Sequence, residues 1–251
     1  MTLRNSYVTV PRDCVDRLAG HDSLAEFGFL QVGSNESHAT YSWRGTDWPI
    51  CLIAQVCGRS FERLFENSYF CFDDDGLAEG ASLYFGLSRS DYSHVDSQRN
   101  LGCLNHLEAS VNPEVWLLKL PVLDFGAGSG WAARELEGRG RRVICFDSCK
   151  AMRDGWGKLG LQWVENLALL QSESIGVVFA CYVLHYGLSS HDANSILRVL
   201  GRGGVLVGNV HKSIGLDRLS ARLSSIGLDV QVEKAGAGAG FGSILCARKI
   251  A

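Results

Sequence analysis

The residues with the clearest potential for binding chemistry form a glycine-rich segment near the middle of the chain. Val122-Leu123-Asp124-Phe125 is an apolar run with one carboxylate, and Gly126-Ala127-Gly128-Ser129-Gly130 follows it directly. Glycine adopts positive φ at little cost and lets another group approach the backbone closely. The amides at the start of a following helix can also point at a polar or anionic ligand. The pattern predicts a strand that leads into a turn able to hold part of a nucleotide.

The spacing of these glycines distinguishes between two classes of nucleotide site. A dinucleotide-binding turn has the pattern G-x-G-x-x-G, and its third glycine lets the helix pack closely on the strand. Here Trp131 occupies that third position, and the glycines follow the spacing G-x-G-x-G instead. Because the bulk of tryptophan opposes such packing, an NAD-dependent reductase is the least favoured of the enzyme classes considered.

Later segments add further polar groups in a fixed order. Asp147 ends the apolar run 143–146, roughly 20 residues beyond the turn, where a carboxylate can accept both ribose hydroxyls. The alternative is a solvated aspartate at a strand end. Glu165-Asn166 follows the third apolar run, and an ordinary polar loop explains that pair nearly as well. The remaining segments are Cys181-Tyr182-Val183-Leu184-His185-Tyr186 and Arg198-Val199-Leu200-Gly201-Arg202-Gly203-Gly204-Val205-Leu206.

This ordered set resembles class I S-adenosylmethionine (SAM)-dependent methyltransferases, whose motifs include (V/L)LDxGxGxG, a segment ending Val-Leu-His and (R/K)xLxxGGxL. The resemblance covers residues 120–249. It implies an α/β fold with a Rossmann-like, seven-stranded, mostly parallel sheet, helices on both faces, and SAM as the cofactor. In that family the acid matching Asp124 orients the methionine amine, and the segment at 165–166 contacts adenine. The implied cofactor-binding residues are Asp124, Gly126, Ala127, Gly128, Gly130, Asp147, Ser148, Glu165, Asn166 and Cys181.

The catalytic candidates follow the fourth apolar run. Methyl transfer needs positioning and, when the acceptor carries a proton, a base. His185 has the right unperturbed pKa for that role, although a structural turn over the cofactor is the favoured interpretation. Tyr182 and Tyr186 are expected to pack around the methionine arm or the acceptor, since an aromatic face attracts a sulfonium. Secondary candidates are Tyr84, Tyr92 and His94.

The elements that must position these residues divide near residue 119. After it, short apolar runs alternate with helical patterns, which is typical of a parallel sheet. The predicted strands are 121–124, 143–147, 161–164, 177–182 and 205–210, with a closing hairpin of 228–232 and 243–247. The predicted helices are 129–136, 150–159, 191–200 and 216–226. The glycine-rich stretch 236–242 favours a hairpin connection over a phosphate loop, because no helical pattern follows it.

Residues 1–118 are expected to form an α+β lid or substrate-binding region, with the SAM-binding domain at 119–251. Helices are predicted at 10–18, 50–65 and 99–111, two strands within 27–43, and loops at 73–76 and 88–97.

Composition limits the partners. Hydrophobic residues make up 46% and charged residues 20%, the balance of a soluble globular protein. The net charge is −3, and the densest basic stretch, 139–142, is too short for a nucleic-acid footprint. No apolar run approaches the roughly 18 residues of a membrane span, and no secretory signal is expected. Nine cysteines without a CxxC pair and seven dispersed histidines indicate reduced thiols in the cytoplasm and no metal.

Three functions remain open from the sequence. The first is methylation of a small molecule at O, N or C, because no Asn/Asp-Pro-Pro-Tyr/Phe motif of amino-methyltransferases follows the fourth strand. The second is reaction of the aminopropyl arm of SAM, by cyclisation to azetidine-2-carboxylate or by transfer, with release of methylthioadenosine. The third is a non-catalytic SAM-binding regulator. Monomer and homodimer are both open.

Overall fold

The computed structural model describes residues 5–45, 48–65, 67–71, 80–81, 83–84, 97–149, 152, 160–210, 215–234 and 240–250. The chain forms two compact units, Met1–Asp91 and Tyr92–Ala251. The sequence placed the division near residue 119. The helix Ser97–Ser110 groups with the second unit because its buried Leu104 and Leu107 share a core with strand residues of that unit.

The first unit is a five-stranded sheet with helices, the α+β composition that the sequence predicted. Its sheet order is β2-β3-β1-β5-β4, and only β1 and β5 pair in parallel. The strands are β1 (Asn5–Pro11), β2 (Leu30–Ser34), β3 (His38–Arg44), β4 (Phe61–Phe65) and β5 (Ser68–Cys71), and the helices are α1 (Arg12–Ala19), α2 (Asp22–Ala25) and α3 (Trp48–Cys57). Val8, Trp43 and Ile53 lie at the centre of its buried core.

Two helix predictions in this unit need correction. The helix expected at 10–18 begins only at Arg12, because Pro11 is its N-cap and the preceding residues pair as a strand with β3 and β5. The helix expected at 50–65 ends at Cys57, where Gly58 takes a φ of 64°. Phe61–Phe65 then pairs antiparallel with β5, since an apolar run alone does not distinguish helix from strand. The loop predicted at 73–76 and residues 88–96 of the loop predicted at 88–97 lie outside the described residues, whereas Ser97 begins a helix.

The second unit contains the expected seven-stranded, mostly parallel sheet, with strand order β11-β12-β10-β9-β6-β7-β8. All neighbours from β10 to β8 pair in parallel, and β12 pairs antiparallel with both β10 and β11. The strands are β6 (Val122–Phe125), β7 (Val143–Phe146), β8 (Gln162–Val164), β9 (Ile175–Ala180), β10 (Leu200–Val210), β11 (Leu228–Lys234) and β12 (Ser243–Lys249). The described helices are α4 (Ser97–Ser110), α5 (Pro113–Trp116), α6 (Trp131–Gly138), α7 (Ser190–Val199) and α8 (Leu216–Ser225).

Both faces of this sheet are covered by helices. Leu123 and Val178 belong to the core that also holds Ile196 of α7 and Leu223 of α8. Their sequence neighbours Val122 and Val177 belong to the opposite core, with the buried residues of α4 and α6. Alternate residues of a strand point to opposite faces, so strands buried on both sides must be apolar almost throughout. The helix expected at 150–159 lies outside the described residues except for Met152.

The strand order places a crevice at one edge of the sheet. The chain runs from β6 outward to β7 and β8, then returns to β9 on the other side of β6 and continues outward to β10. Such a reversal opens a ligand crevice beyond the carboxyl ends of the strands. The segments that leave those ends are 126–130, 147–149 and 181–186.

Candidate cofactor and catalytic site

The glycine turn after β6 is shaped by close packing within the protein. Gly126, Gly128 and Gly130 have φ values of 73°, 52° and 73°, a region that favours glycine. A Cβ on Gly126 would overlap the side chain of Val183, and one on Gly130 would lie 2.7 Å from Leu161 Cδ1. The sequence suggested ligand approach as the reason for these glycines. In the structure, neighbouring side chains already require them at 126 and 130.

Backbone amides of the turn are tied to the end of β7. The amides of Gly126 and Ala127 donate to the Phe146 carbonyl at 2.8 and 3.0 Å. The Gly128 amide donates to Asp147 Oδ2 at 2.8 Å. The turn is therefore held against the strand that carries the second predicted carboxylate.

Asp147 is a buried carboxylate that organises two stretches of backbone. Besides the Gly128 amide, it accepts a hydrogen bond from the Cys149 amide on Oδ1 at 2.8 Å. Ser148 lies exposed between them. A carboxylate can accept about four hydrogen bonds, so amides and ribose hydroxyls are compatible on the same group. The predicted ribose-binding role of Asp147 remains a prediction.

Asp124 is almost completely buried, with 1% of its surface exposed. It accepts a hydrogen bond from the Ala133 amide in the first turn of α6. Its Oδ2 has no hydrogen-bond partner in the part of the chain that the structure describes. Burial, with the negative charge of Asp147 acting in the same direction, raises the pKa of Asp124 to about 7. A nearby cation would compensate this buried carboxylate.

The segment after β9 makes a sharp turn and then a 3₁₀ turn, Leu184–Tyr186. Tyr182 has a φ of 57°, one of three described non-glycine residues with positive φ. For an L-residue this conformation costs roughly 1–2 kcal/mol. The His185 and Tyr186 rings are both buried, with centroids 4.1 Å apart. That packing agrees with a turn-forming role for His185, and its role as a base remains a prediction.

Cys181 connects this segment to α4. Its Sγ lies 3.8 Å from the Sγ of Cys103, and both are free thiols. The hydrogen bond with Cys103, together with burial and the charge of Asp124, raises the pKa of the Cys181 thiol. Cys181 is thus a neutral packing group just after β9, and its contact with the cofactor remains a prediction.

Glu165 and Asn166 differ from the other predicted residues because both are exposed. Asn166 Oδ1 accepts from the Ala168 amide at 2.8 Å and caps a 3₁₀ turn. The Arg198 guanidinium donates to the carbonyls of Leu167 and Leu170, both at 2.7 Å. The arginine of the (R/K)xLxxGGxL segment therefore anchors the loop that follows Asn166.

The secondary candidates lie elsewhere. Tyr84 is buried in the first unit, edge-on to Tyr7 at 5.6 Å and to Phe70 at 5.7 Å between ring centroids. Its contacts are those of a core residue. Tyr92 and His94 fall outside the described residues.

Sequence reasoning missed Asn209, a fully buried side chain near the end of β10. Its Oδ1 accepts from the Tyr182 amide at 2.6 Å, and its Nδ2 donates to the Phe241 carbonyl at 2.9 Å. The available signal was a single asparagine inside the apolar run Val205-Leu206-Val207-Gly208-Asn209-Val210. An uncompensated amide there would be costly.

Two features of the described residues bear on metal and membrane binding. These residues include no group of three or more His, Cys, Asp or Glu side chains able to hold a metal ion. None of their helices combines the length and apolar character needed to cross a membrane.

Comparison with known proteins gives one family match. A family model described as a methyltransferase domain matches residues 123–208, from β6 to near the end of β10. A search of curated proteins found no match.

Solved structures provide the comparison of folds. One is a SAM-dependent methyltransferase, described as a possible histamine N-methyltransferase, from Thermotoga maritima. It is 14% identical, with 66% of this chain and 97% of that chain covered and a TM-score of 0.50. Another is a putative methyltransferase from Haloferax volcanii in complex with the activator Trm112. It is 18% identical over 61% of this chain and 90% of that chain, with a TM-score of 0.46.

Residues 123–208 thus match a methyltransferase domain, and the seven-stranded sheet has the Rossmann-like fold seen in the Thermotoga maritima structure. The match over residues 123–208 supports a methyltransferase that uses SAM as its cofactor.

Proposed function

We propose that this enzyme transfers the methyl group of SAM to an O, N or C atom of a small molecule. The observation that carries the proposal is the convergence of three segments at the carboxyl ends of adjacent strands. Asp124 with the glycine turn leaves β6, Asp147 leaves β7, and Cys181–Tyr186 leaves β9. The net charge of −3 supports a small acceptor over a polyanionic one.

The residues at the three strand ends fit SAM. The buried Oδ2 of Asp124 suits the methionine ammonium, because a cation would compensate its desolvation. Asp147 suits the ribose hydroxyls, and the turn 126–130 presents backbone without bulky side chains. Ser148, Glu165 and Asn166 would line the nucleoside side, with Cys181 near the methionine arm. SAM supplies a sulfonium whose methyl group transfers by in-line displacement.

The reaction then needs few protein groups. Tyr182 and Tyr186 would orient the methionine arm and the acceptor, and an aromatic face stabilises a nearby sulfonium. His185 would take a proton from an acidic O–H or N–H of the acceptor. A carbon nucleophile that is already an anion or enol would not depend on that base.

Acceptor selection is assigned to the N-terminal part of the chain, the predicted lid or substrate-binding region. The first unit supports this assignment because it has its own core and lies outside the segment that matches the family model. Substitutions there should change the KM of the acceptor and leave the affinity for SAM unchanged. The nine free thiols favour action in a reducing compartment such as the cytoplasm.

Product analysis on the full chain tests the proposal. The protein is incubated with SAM and a panel of phenols, carboxylic acids, amines and enols, and products are separated by mass spectrometry. S-adenosylhomocysteine that forms only with an acceptor supports methyl transfer. Methylthioadenosine without an acceptor would replace the proposal with reaction of the aminopropyl arm. Tight binding of SAM without turnover of either kind would favour a regulator.

A further inference from the structure

Asn209 lies where the carboxyl ends of two neighbouring strands meet. In the register of β10 with β9, Gly208 pairs with Ala180, so Asn209 stands one residue beyond the last paired residue of β9. Its side chain is 0% exposed. Burial of a primary amide is unfavourable unless its hydrogen bonds are made, so the partners of Asn209 indicate why it is there.

Those partners belong to two different segments. The carbonyl oxygen of the side chain accepts from the Tyr182 amide at 2.6 Å. The amino group donates to the carbonyl of Phe241, in the segment just before β12, at 2.9 Å. One amide thus uses an acceptor and a donor at once, which neither an aliphatic side chain nor an ionised carboxylate can reproduce.

Of the two segments that Asn209 joins, the one at Tyr182 has the unusual backbone conformation. Tyr182 has a φ of 57° and is not a glycine, so its backbone has to be held in place by surrounding contacts. The next residue, Val183, occupies the space into which a Cβ of Gly126 would project. The conformation of Tyr182 therefore determines how Val183 meets the glycine turn.

We propose that Asn209 is a positioning residue for the cofactor site. It holds the Tyr182 backbone in the left-handed conformation and thereby seats Val183 against Gly126, so that the two cofactor-facing segments are formed before SAM binds. The inference rests on the proposed placement of SAM beside those segments. The hydrogen bond from Asn209 Nδ2 to the Phe241 carbonyl means that the segment at Phe241 also helps to hold Asn209 in place.

The first measurement is independent of cofactor. Amide hydrogen exchange is followed across residues 181–187 in the ligand-free full chain and in Asn209→Leu, which is similar in size but cannot bond Tyr182. We expect exchange in this segment to become about tenfold faster or more, the size expected for one lost hydrogen bond. Unchanged protection would overturn the proposal, whether or not the protein binds SAM.

The second measurement is the affinity for S-adenosylhomocysteine, by calorimetry. Asn209→Leu should weaken it about tenfold. In a Tyr182→Gly background the same substitution should change it by about twofold or less, because glycine adopts positive φ without an anchor. An equal loss in both backgrounds would show that Asn209 acts only on general stability, and this would refute the positioning role.

Two variants protect the test against loss of folding. Val183→Ala keeps the backbone of the segment after β9 and removes the side-chain atoms that contact Gly126, so it should weaken S-adenosylhomocysteine binding while thermal unfolding stays close to wild type. Asn209→Asp, whose protonated carboxyl can accept from the Tyr182 amide and donate to the Phe241 carbonyl, should weaken binding less than Asn209→Leu does at a pH where that carboxyl is neutral. The reverse order, or normal binding by Val183→Ala, would contradict the proposal. Absence of binding by the wild-type protein would instead count against the proposed function.

Discussion

The turns after β6 and β9 need the same backbone conformation and reach it in different ways. The turn at 126–130 uses glycine at each of its three positive-φ positions. The segment at 181–186 places Tyr182 in that region and supports it with the buried Asn209. Glycine serves where neighbouring side chains leave no room for a Cβ. At Tyr182, whose side chain we propose to lie beside the ligand, a non-glycine residue takes the strained conformation and a second residue, Asn209, holds it.

The largest expected effect comes from adding a side chain to the glycine turn. Gly126→Ala would force a Cβ into Val183 at a φ of 73°. Strain and overlap together should lower the free energy of unfolding by about 3 kcal/mol or more and abolish measurable S-adenosylhomocysteine binding. Thermal unfolding and calorimetry measure the two effects.

Gly138→Ala is the matched control for that substitution. Gly138 is the last residue of α6, and nothing lies within 4 Å of the position of an added Cβ. Its stability should stay within about 1 kcal/mol of wild type. Equal tolerance of alanine at both positions would mean that the contact between Val183 and the turn is not tight.

The next effect concerns the carboxylate that links the turn to β7. Asp147→Asn leaves one acceptor oxygen where two amides now donate, so one buried amide is left facing an amino group. A loss of about 2 kcal/mol in the free energy of binding corresponds to an affinity for S-adenosylhomocysteine that is about 30-fold weaker. Asp229→Asn, an exposed aspartate on β11, is the control and should bind normally. Wild-type affinity in Asp147→Asn would refute the proposed ribose-binding role.

The sequence predicts those parts of the site that depend on residues close together in the chain, and it does not predict contacts between distant residues. The glycine turn, Asp124 and Asp147 could be placed at the carboxyl ends of strands because they lie at the ends of apolar runs whose alternation with helices predicts a parallel sheet. The sequence groups the helix Ser97–Ser110 with residues 1–118, whereas its buried residues share the core of the second unit, since no local pattern tells which sheet a helix packs on. Asn209 was missed because its partners, at Tyr182 and Phe241, are distant in sequence. The apolar content of residues 50–65 predicts one helix, whereas Phe61–Phe65 pairs as a strand with β5, because apolar content alone does not distinguish helix from strand.

A smaller effect is the pH dependence that Asp124 imposes. Its folded pKa of about 7 lies above the ordinary value near 4, so the folded protein retains a proton that the unfolded chain has lost. Below a pH of about 4 the carboxyl is protonated in both states and does not destabilise the fold. The free energy of unfolding then decreases as the pH rises from about 4 to about 7. The ammonium of S-adenosylhomocysteine binds the ionised form of Asp124. The affinity for S-adenosylhomocysteine should therefore increase as the pH rises to about 7 and then become constant.

Asp124→Asn tests both parts of that dependence. The variant should show a flatter profile of unfolding temperature between pH 5 and pH 8, and an S-adenosylhomocysteine affinity that no longer increases with pH. A wild-type pH profile in the variant would assign the titration to another group.

The smallest effect is expected from Tyr182→Gly, which introduces a glycine at a position of positive φ, whereas Gly126→Ala removes one. Tyr182→Gly removes the strain of a φ of 57°, worth roughly 1–2 kcal/mol, and at the same time loses the packing of a half-buried ring and gains unfolded-state entropy. These contributions oppose each other, so the free energy of unfolding should stay within about 1 kcal/mol of wild type. Binding of S-adenosylhomocysteine should persist, though weaker, because the backbone path from Asn209 to Val183 is kept. Loss of folding in Tyr182→Gly would show that the tyrosine ring, more than the asparagine, supports the turn. The turn at 126–130 and the segment at 181–186 would then differ in side-chain packing, and not in how the positive φ is stabilised.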